Sequence, residues 1–301
     1  MPKVLVVHPY TRTSTQLAGL CVRGLNGIGC LAEAHLFHPG RYSSRPWLGG
    51  FKSAEYALSE RALMRRTASF SPDLVLVIKG EELLPRTIDA IRRTFRVPVA
   101  DWWTDDPCLL GVSSRISPAY DVFFTNDPDS VPSHSRAGCR RAEFLTFACD
   151  PALHRRTELT EAEHGMYACD MVFVGLLTPR RARFLEPLAG PGLRIWSKPV
   201  LQEYLPETDS ITRRPLPEGS PLRGCVTGRE AWDEELAKIY SAAKIVLNVH
   251  AHGSSDPNIR VFEATGCGAF LLSECRRVLG DLFCIGGEVA CFSGPEELKA
   301  Q

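Results

Sequence analysis

The sequence NIRVFEATGCGAFLLSE, residues 258–274, joins a polar start, a short helical stretch, two glycines and an apolar strand. One carboxylate, Glu263, lies near the beginning of the helical stretch, where a carboxylate commonly binds two vicinal hydroxyls such as those of a ribose. Gly266 and Gly268 end the helix tightly and allow backbone to approach a ligand or a neighbouring strand. Late in an α/β chain, this arrangement favours a nucleotide-sugar site. The alternative is an ordinary helix-to-strand turn in which Glu263 pairs with a nearby arginine.

The composition limits the classes of protein to consider. The 301 residues suit two domains of ordinary size, and 44% hydrophobic with 23% charged residues is typical of a globular protein. Lys plus Arg equals Asp plus Glu at 35 each, so the net charge gives no reason to expect binding to a polyanion. A basic cleft at one place on the surface is still compatible with this balance. The apolar run at residues 4–7 is too short for a signal peptide, and no run approaches the length of a membrane span. We therefore expect a cytoplasmic protein without a membrane span.

The eleven cysteines fit neither a disulfide framework nor a zinc site. Their number is odd and no Cys-x-x-Cys occurs. The nearest approach to a cluster, Cys267, Cys275, Cys284 and Cys291, has spacings of 8, 9 and 7 residues, which match no common zinc pattern. We expect reduced structural cysteines and no bound metal.

Alternating apolar runs and helical patterns predict a doubly wound parallel sheet in each half of the chain. In the first half, strands are predicted at residues 4–7, 74–78, 97–100 and 120–126, with a helix over 85–95. In the second half, strands are predicted at 170–175, 193–196 and 244–249, with a helix over 234–243 and another that begins after Thr178. Residues 144–160 are irregular and predict a linker, and residues 199–228, rich in Pro, Gly and Arg, predict a loop.

These segments, in this order, resemble the CgeB-like (spore-maturation-type) glycosyltransferases, which have the GT-B fold. In the second half the resemblance rests on residues 169–175, 193–196, 239–250 and 260–272, and in the first half on 71–80, 105–107 and 144–151. The resemblance implies two Rossmann-like doubly wound domains that face each other across a cleft. Residues 1–155 would form the acceptor domain and residues 165–301 the nucleotide-sugar-binding domain.

The resemblance also implies an activity, and the chain departs from the family pattern in two places. The implied enzyme is a metal-independent, hexosyltransferase-type glycosyltransferase without a cofactor, whose donor substrate is a UDP- or GDP-linked sugar. Many retaining GT-B enzymes have two glutamates separated by seven residues; Glu263 matches the second, but Ser255 occupies the position of the first. The sequence also stops at Gln301, where GT-B proteins usually continue with helices that return to the first domain, so we expect a short member or a truncated C-terminus.

Several residues near the predicted donor site are candidates for binding the diphosphate. Gly175 follows its strand directly, so it either allows close backbone approach to a ligand or forms a plain turn. Arg180, Arg181 and Arg183 lie near a helix start, where guanidinium groups and backbone N–H donors suit a diphosphate. The alternative for these arginines is a solvated basic helix end.

The loop before the opening stretch adds further donor-site candidates. His252 and Asn258 follow a predicted strand, at the place where a doubly wound fold binds ligands. The pair His250 and His252 has no third ligand nearby, which argues against a metal. Arg260 lies one helical turn before Glu263, where it either contacts the same diphosphate or neutralises the glutamate.

Candidates for a general base lie in the first half. Asp105 and Asp106 close a predicted strand, and a carboxylate there could accept a proton from an acceptor hydroxyl, as inversion requires. The alternative is that Asp106 with its following proline forms a turn and a helix cap. His8, at the end of the first strand, is a second candidate base. Trp102 and Trp103 suit the core or, alternatively, stacking on a sugar or an aromatic acceptor.

The sequence thus favours sugar transfer from a nucleoside-diphosphate sugar to an unidentified acceptor: a small molecule, a glycan, a protein or a modified nucleic acid. Two alternatives stay open. One is a sugar-nucleotide epimerase of the same fold, and the other is a non-catalytic sugar-nucleotide-binding or spore-coat structural protein. The sugar, the stereochemical outcome and the oligomeric state do not follow from the sequence.

Overall fold

The structure, a computed structural model, describes residues 1–39, 52–205, 210–251 and 257–300. The chain divides into two compact units, Met1–Thr146 and Phe147–Gln301. The segment at residues 147–160, interpreted from the sequence as a linker, is therefore part of the second unit. The assignment of acceptor binding to residues 1–155 and donor binding to residues 165–301 stays a prediction.

The first unit alternates strands with helices. Its strands are β1 (Lys3–Pro9), β2 (Leu31–Phe37), β3 (Leu74–Ile78), β4 (Val99–Trp103), β5 (Val122–Thr125) and β6 (Ala142–Phe144). Its helices are α1 (Arg12–Gly27), α2 (Lys52–Phe70), α3 (Pro85–Phe95), α4 (Leu110–Ile116) and α5 (Val131–Arg136). The strands pair in parallel in the order β2-β1-β3-β4-β5-β6. The order reverses between β1 and β3, as it does in doubly wound folds.

The second unit repeats this plan with a five-stranded sheet and an added hairpin. Its strands are β7 (Cys169–Val174), β8 (Leu193–Trp196), β9 (Val200–Leu205), β10 (Ser210–Pro215), β11 (Ala243–Asn248), β12 (Leu271–Glu274) and β13 (Ala290–Phe292). Its helices are α6 (Glu161–Tyr167), α7 (Pro179–Leu185), α8 (Asp233–Ala242), α9 (Ile259–Gly266), α10 (Arg277–Leu282) and α11 (Pro295–Ala300). The parallel sheet has the order β13-β12-β11-β7-β8, and β9 and β10 pair antiparallel.

Apolar side chains cover both faces of the second sheet. Val172 and Val174 of β7 belong to one buried cluster, whereas Phe173 between them belongs to another on the opposite face. A parallel strand that is buried on both faces is apolar at successive positions, which is why residues 171–174 of β7 form a continuous apolar run. The reversal of strand order between β7 and β11 places the carboxyl ends of these two strands side by side, where such folds bind ligands.

The prediction of a doubly wound parallel sheet in each half is confirmed, with one local correction. Strand β3 and helix α3 have the predicted bounds, and Thr178 caps α7 by accepting a hydrogen bond from the backbone N–H of Arg181. Residues 199–228 are not all loop, because they contain the β9–β10 hairpin. The Pro, Gly and Arg content of this segment favoured a loop, and VLQEYL in β9 has no regular alternation of apolar and polar residues that would indicate a strand.

All eleven cysteines are free thiols. Within the described ranges, no group of three or more His, Cys, Asp or Glu side chains could hold a metal ion. None of the helices in the same ranges combines the length and the apolarity needed to cross a membrane.

A substitution at Gly80 tests the packing at the carboxyl end of β3. A Cβ at this position would lie 1.8 Å from Oη of Tyr120, which is fully buried and donates a hydrogen bond to the Gly80 carbonyl. Gly80→Ala should therefore lower the free energy of unfolding by about 1–3 kcal/mol through overpacking. Urea titration followed by circular dichroism measures this change.

Gly24→Ala is the matched control for this prediction. Gly24 is exposed in the interior of α1, and a Cβ there would meet no atom within 4 Å. This variant should be about 0.5–1 kcal/mol more stable than wild type, because alanine loses less backbone entropy in a helix. Equal effects of the two substitutions would contradict the packing around Tyr120.

Candidate functional site

The central contact of the candidate site joins the end of β7 to the first turn of α9. Nε of Arg260 donates a hydrogen bond to the Val174 carbonyl, and the guanidinium covers Gly175. A Cβ at Gly175 would lie 3.0 Å from Nε, and its φ of +147° is also in the region that favours glycine. Gly175 is therefore required by both space and conformation at the point where the strand order reverses.

A chain of side-chain hydrogen bonds fixes the start of α9. Asn258 caps the helix, because its Oδ1 accepts from the backbone N–H of Arg260 at 3.0 Å. Nδ2 of Asn258 donates to Oδ1 of Asn248 at 3.0 Å, and Nδ2 of Asn248 donates to Oγ of Ser273 at 3.0 Å. Since Asn248 and Ser273 are fully buried, the N-terminus of α9 is tied to the ends of β11 and β12. Backbone N–H groups at such a helix start favour anions.

Glu263, on the next turn of α9, has an incompletely satisfied buried carboxylate. Its side chain is buried, and Oε2 has no hydrogen-bond partner among the described residues. Burial raises the pKa of Glu263; the charge of Arg260 opposes this rise and that of Asp233 adds to it. The alternative pairing of Glu263 with Arg260 is not seen, because these two described residues form no ion pair and Arg260 is bonded to Val174. A ligand hydroxyl would supply the missing donor.

A second carboxylate, Glu274 at the end of β12, has many partners. It accepts hydrogen bonds from both terminal nitrogens of Arg180, from Nη2 of Arg276 at 2.7 Å and from the backbone N–H of His250 at 3.1 Å. Nη1 of Arg180 also donates to the His250 carbonyl at 2.8 Å. Arg180 thus ties α7 to the ends of β11 and β12, and both of its terminal nitrogens already have protein partners.

Arg181 is buried and anchors two loops. Its Nε donates to the Val249 carbonyl at 2.8 Å and its Nη1 to the Leu176 carbonyl at 2.9 Å. Burial, with smaller contributions from Arg260 and Arg180, lowers the pKa of Arg181 to about 9. Arg181 therefore holds the segments after β7 and β11 in place.

The ring of His250 lies among these arginines. It is fully buried, and neither ring nitrogen has a hydrogen-bond partner in the part of the chain that the structure describes. Burial lowers the pKa of His250 well below its usual value, and the charges of Arg276, Arg181 and Arg180 lower it further. The imidazole is thus neutral, with one unpaired donor and one unpaired acceptor.

In the first unit, Asp106 is a fully bonded buried residue. Its carboxylate accepts from Ser113 Oγ at 2.7 Å and Thr125 Oγ1 at 2.8 Å, and it lies 2.7 Å from His134 Nε2. The side chain of Asp106 is completely buried, and the peptide bond to Pro107 is cis. These hydrogen bonds tie the turn after β4 to α4, β5 and α5, which agrees with the turn of the alternative interpretation, and they occupy both carboxylate oxygens of Asp106.

Asp105 and His8 are the other two residues predicted as candidate bases. Asp105 is half-buried and forms an ion pair with Lys79. Burial is the largest single effect on the pKa of Lys79 and lowers it, but the charge and hydrogen bond of Asp105 and the charges of Glu81 and Asp101 together outweigh burial and raise this pKa. Nδ1 of His8 lies 3.1 Å from the Pro9 carbonyl, and since a carbonyl only accepts, the proton is on Nδ1 and the lone pair is on Nε2. Burial lowers the pKa of His8, so the ring is neutral at pH 7.

The structure brings most of the sequence-predicted donor residues together. Within the second unit, the predicted residues that meet around the ends of β7 and β11 are Gly175, Arg180, Arg181, Asn258 and Arg260, with Glu263 one turn away. His252 and Ser255 lie outside the described residues. Trp102 and Trp103 are buried in β4. Glu274 and Asn248 were not identified as site residues from the sequence. Each is the last residue of a strand, at the edge of the sheet where ligands are expected, and this position could have identified both.

Comparisons with known proteins concern the sequence and the fold of the chain. Residues 180–301 match a family described as "Glycosyl transferase-like". Spore protein CgeB of Bacillus subtilis (strain 168) is 22% identical over 242 residues, which cover 73% of this chain and 70% of CgeB. The fold and the site together define a GT-B-type α/β protein with a glycosyl transferase-like C-terminal part. The chain is CgeB-like, and the predicted resemblance to that family is confirmed.

Solved structures support the fold class. HepE from Anabaena, in complex with UDP, superimposes with a TM-score of 0.61 at 13% identity and covers 100% of this chain and 88% of its own. Sucrose-phosphate synthase from Thermosynechococcus elongatus superimposes with a TM-score of 0.65 at 12% identity, with the same shares covered. At these identities the similarity concerns the fold, and the predicted GT-B fold class is confirmed.

Removal of the Glu274 carboxylate tests its role in organising the site. Glu274→Ala would leave Arg180 and Arg276, both mostly buried, without their shared acceptor. We expect the free energy of unfolding to fall by about 3–5 kcal/mol, because an uncompensated buried charge is costly. Differential scanning calorimetry measures the loss. The exposed pair Lys244–Asp170 provides the control: Asp170→Ala should leave the melting temperature nearly unchanged, and equal losses would contradict the assignment.

Proposed function

We propose that the protein is a glycosyltransferase that transfers a sugar from a nucleoside-diphosphate sugar to an acceptor hydroxyl. The observation that carries this proposal is the buried carboxylate of Glu263, which lies one turn from the capped start of α9 and has one oxygen without a hydrogen-bond partner among the described residues. A buried carboxylate without donors is costly to maintain, and the two vicinal hydroxyls of a ribose would supply donors. The UDP complex of the similarly folded HepE supports UDP as the first nucleotide to test.

The diphosphate would bind beside Gly175, where positive charge is concentrated. Arg180 and Arg260 are close enough to Arg181 to lower its pKa, and Glu274 is the acidic residue that opposes this effect. A diphosphate would relieve this repulsion. We propose that Arg260 and the backbone N–H groups at the start of α9 contact it directly, whereas Arg180 and Arg181 support the loops around it.

The proposed reaction displaces the nucleoside diphosphate from the anomeric carbon. The acceptor oxygen forms a bond to this carbon, the bond to the phosphate oxygen breaks, and the acceptor proton leaves to a base. The arginines and the start of α9 would stabilise the charge of the leaving diphosphate, so we propose that no metal is required. Because Asp106 is fully bonded, His8 and Asp105 are the proposed bases if the reaction inverts the anomeric carbon.

A release assay tests this reaction and separates it from its alternatives. The purified protein is incubated with UDP- and GDP-linked sugars, and free nucleoside diphosphate is measured with and without candidate acceptors. We expect acceptor-dependent release that survives excess EDTA. Release of UDP without any acceptor would instead indicate an epimerase, binding without release a non-catalytic protein, and loss of activity that returns with a divalent metal would contradict metal independence.

Two substitutions of Glu263 test the ribose contact. Glu263→Ala removes two charge-assisted hydrogen bonds, each worth roughly 1.5–3 kcal/mol, so UDP affinity should fall by at least about tenfold. Glu263→Gln should lose less, because its amide oxygen still accepts one bond. Calorimetric titration of UDP into each variant measures both effects.

The control for these variants is Glu296→Ala, which removes an exposed glutamate from α11 and should leave UDP affinity unchanged. Melting curves accompany each titration. A folded Glu263→Ala protein with wild-type affinity would remove the basis of the donor-site proposal. A lower melting temperature without a change in affinity would assign Glu263 a structural role.

A further inference from the structure

Residues 147–157 pack against the C-terminal turn of α9. A Cβ at Gly266 would lie 2.9 Å from Sγ of Cys149 and 3.0 Å from the His154 carbonyl. The same segment is bonded to the neighbouring helix α8, because the backbone N–H of Thr157 donates to Oγ of Ser241 at 2.9 Å. This close approach, which requires glycine at position 266, fixes the segment relative to the helix that carries Glu263.

The local hydrogen bonds of His154 define its tautomer. The backbone N–H of Asp150 donates to Nδ1 of His154 at 3.0 Å, and the backbone N–H of His154 donates to the Asp150 carbonyl at 2.7 Å. Because a backbone N–H can only donate, Nδ1 carries the lone pair, so the neutral ring has its proton on Nε2. The turn thus directs a polar N–H group away from Asp150.

The protonated nitrogen faces the carboxylate of Glu263. Nε2 of His154 lies 3.8 Å from Oε1 of Glu263, and both side chains are buried. This distance exceeds that of a hydrogen bond by less than 1 Å, so a small shift of the carboxylate would close it. The two oxygens of Glu263 therefore differ: Oε1 is directed to His154, and Oε2 has no partner among the described residues.

We infer that His154 is a positioning residue that orients the Glu263 carboxylate, so that Oε2 is presented to the hydroxyls of the bound nucleotide. This inference rests on the function proposed above. The terminal torsion of a glutamate is soft, so an unrestrained carboxylate samples many orientations. A donor on one oxygen limits this freedom before the ligand binds, and preorganisation of this kind increases affinity.

Two substitutions separate positioning from packing. In the His154→Asn variant, the side-chain amide would lie near the position that Nδ1 has in wild type. It could accept the hydrogen bond from the backbone N–H of Asp150 but could not reach Glu263. The amide of His154→Gln lies near the position of Nε2, so it can donate to Glu263 but not accept from Asp150. We expect His154→Asn to weaken UDP binding by about threefold to tenfold and His154→Gln to bind within about twofold of wild type.

Melting curves and a mutant cycle complete the test. If the role of His154 is purely structural, both substitutions should lower the melting temperature and should change UDP affinity to the same extent. That result would overturn the inference. If His154 acts through Glu263, His154→Asn should have no further effect in the Glu263→Ala background. An equal loss of affinity in both backgrounds would also overturn it.

The same titrations distinguish failure of this inference from failure of the proposed function. Wild-type affinity of Glu263→Ala rejects the donor site and the inference with it. Weak binding by Glu263→Ala, together with wild-type affinity of His154→Asn, rejects the inference alone. If His154→Asn does not fold, the inference can be tested in the wild-type protein by ¹⁵N NMR of the histidine rings. Addition of UDP should shift an Nε2–H resonance assigned to His154. An unchanged resonance would overturn the inference.

Discussion

The carboxylate of Glu274 joins three segments of the second unit. It accepts hydrogen bonds from Arg180 on α7, from Arg276 and from the backbone of His250 after β11. Because these partners come from separate βα connections, the carboxyl edge of the sheet has one preferred arrangement. The start of α9, fixed to Asn248 by its own cap, lies beside the same edge. These buried polar bonds hold Arg180, the backbone of His250 and the start of α9 in place.

This arrangement divides the basic residues into two groups. Arg180 and Arg181 have their donors directed to Glu274 and to backbone carbonyls, so they hold the loops. Arg260 lies against Gly175 and is only half-buried. The structural arginines still contribute net positive charge, because Arg180 and Arg276 share the single negative charge of Glu274, and Arg181 is bonded to neutral backbone carbonyls. A concentration of positive charge can therefore favour a diphosphate even where few of the arginines contact it.

Regular elements were predictable from the sequence because their signals are local. The apolar run that indicates β3 and the proline that indicates the start of α7 can each be recognised from a few consecutive residues. The partners of the site residues could not be predicted in this way. Arg180 and Glu274 are 94 residues apart in the sequence, and no periodicity connects them. His154 lies in a segment whose irregular sequence favoured a linker, and its relation to Glu263 depends on tertiary packing around Gly266. The hydrogen-bond partners of Asp106, which are Ser113, Thr125 and His134, could not be predicted because they come from three different elements.

The central claim is that the unpartnered oxygen of Glu263 receives the ribose of a nucleoside diphosphate. A crystal structure of the protein with UDP tests this claim most directly. We predict ribose hydroxyls within hydrogen-bond distance of Glu263 and the diphosphate beside Gly175 and the first turn of α9. UDP bound elsewhere, or bound with Glu263 still buried and out of contact, would contradict the account.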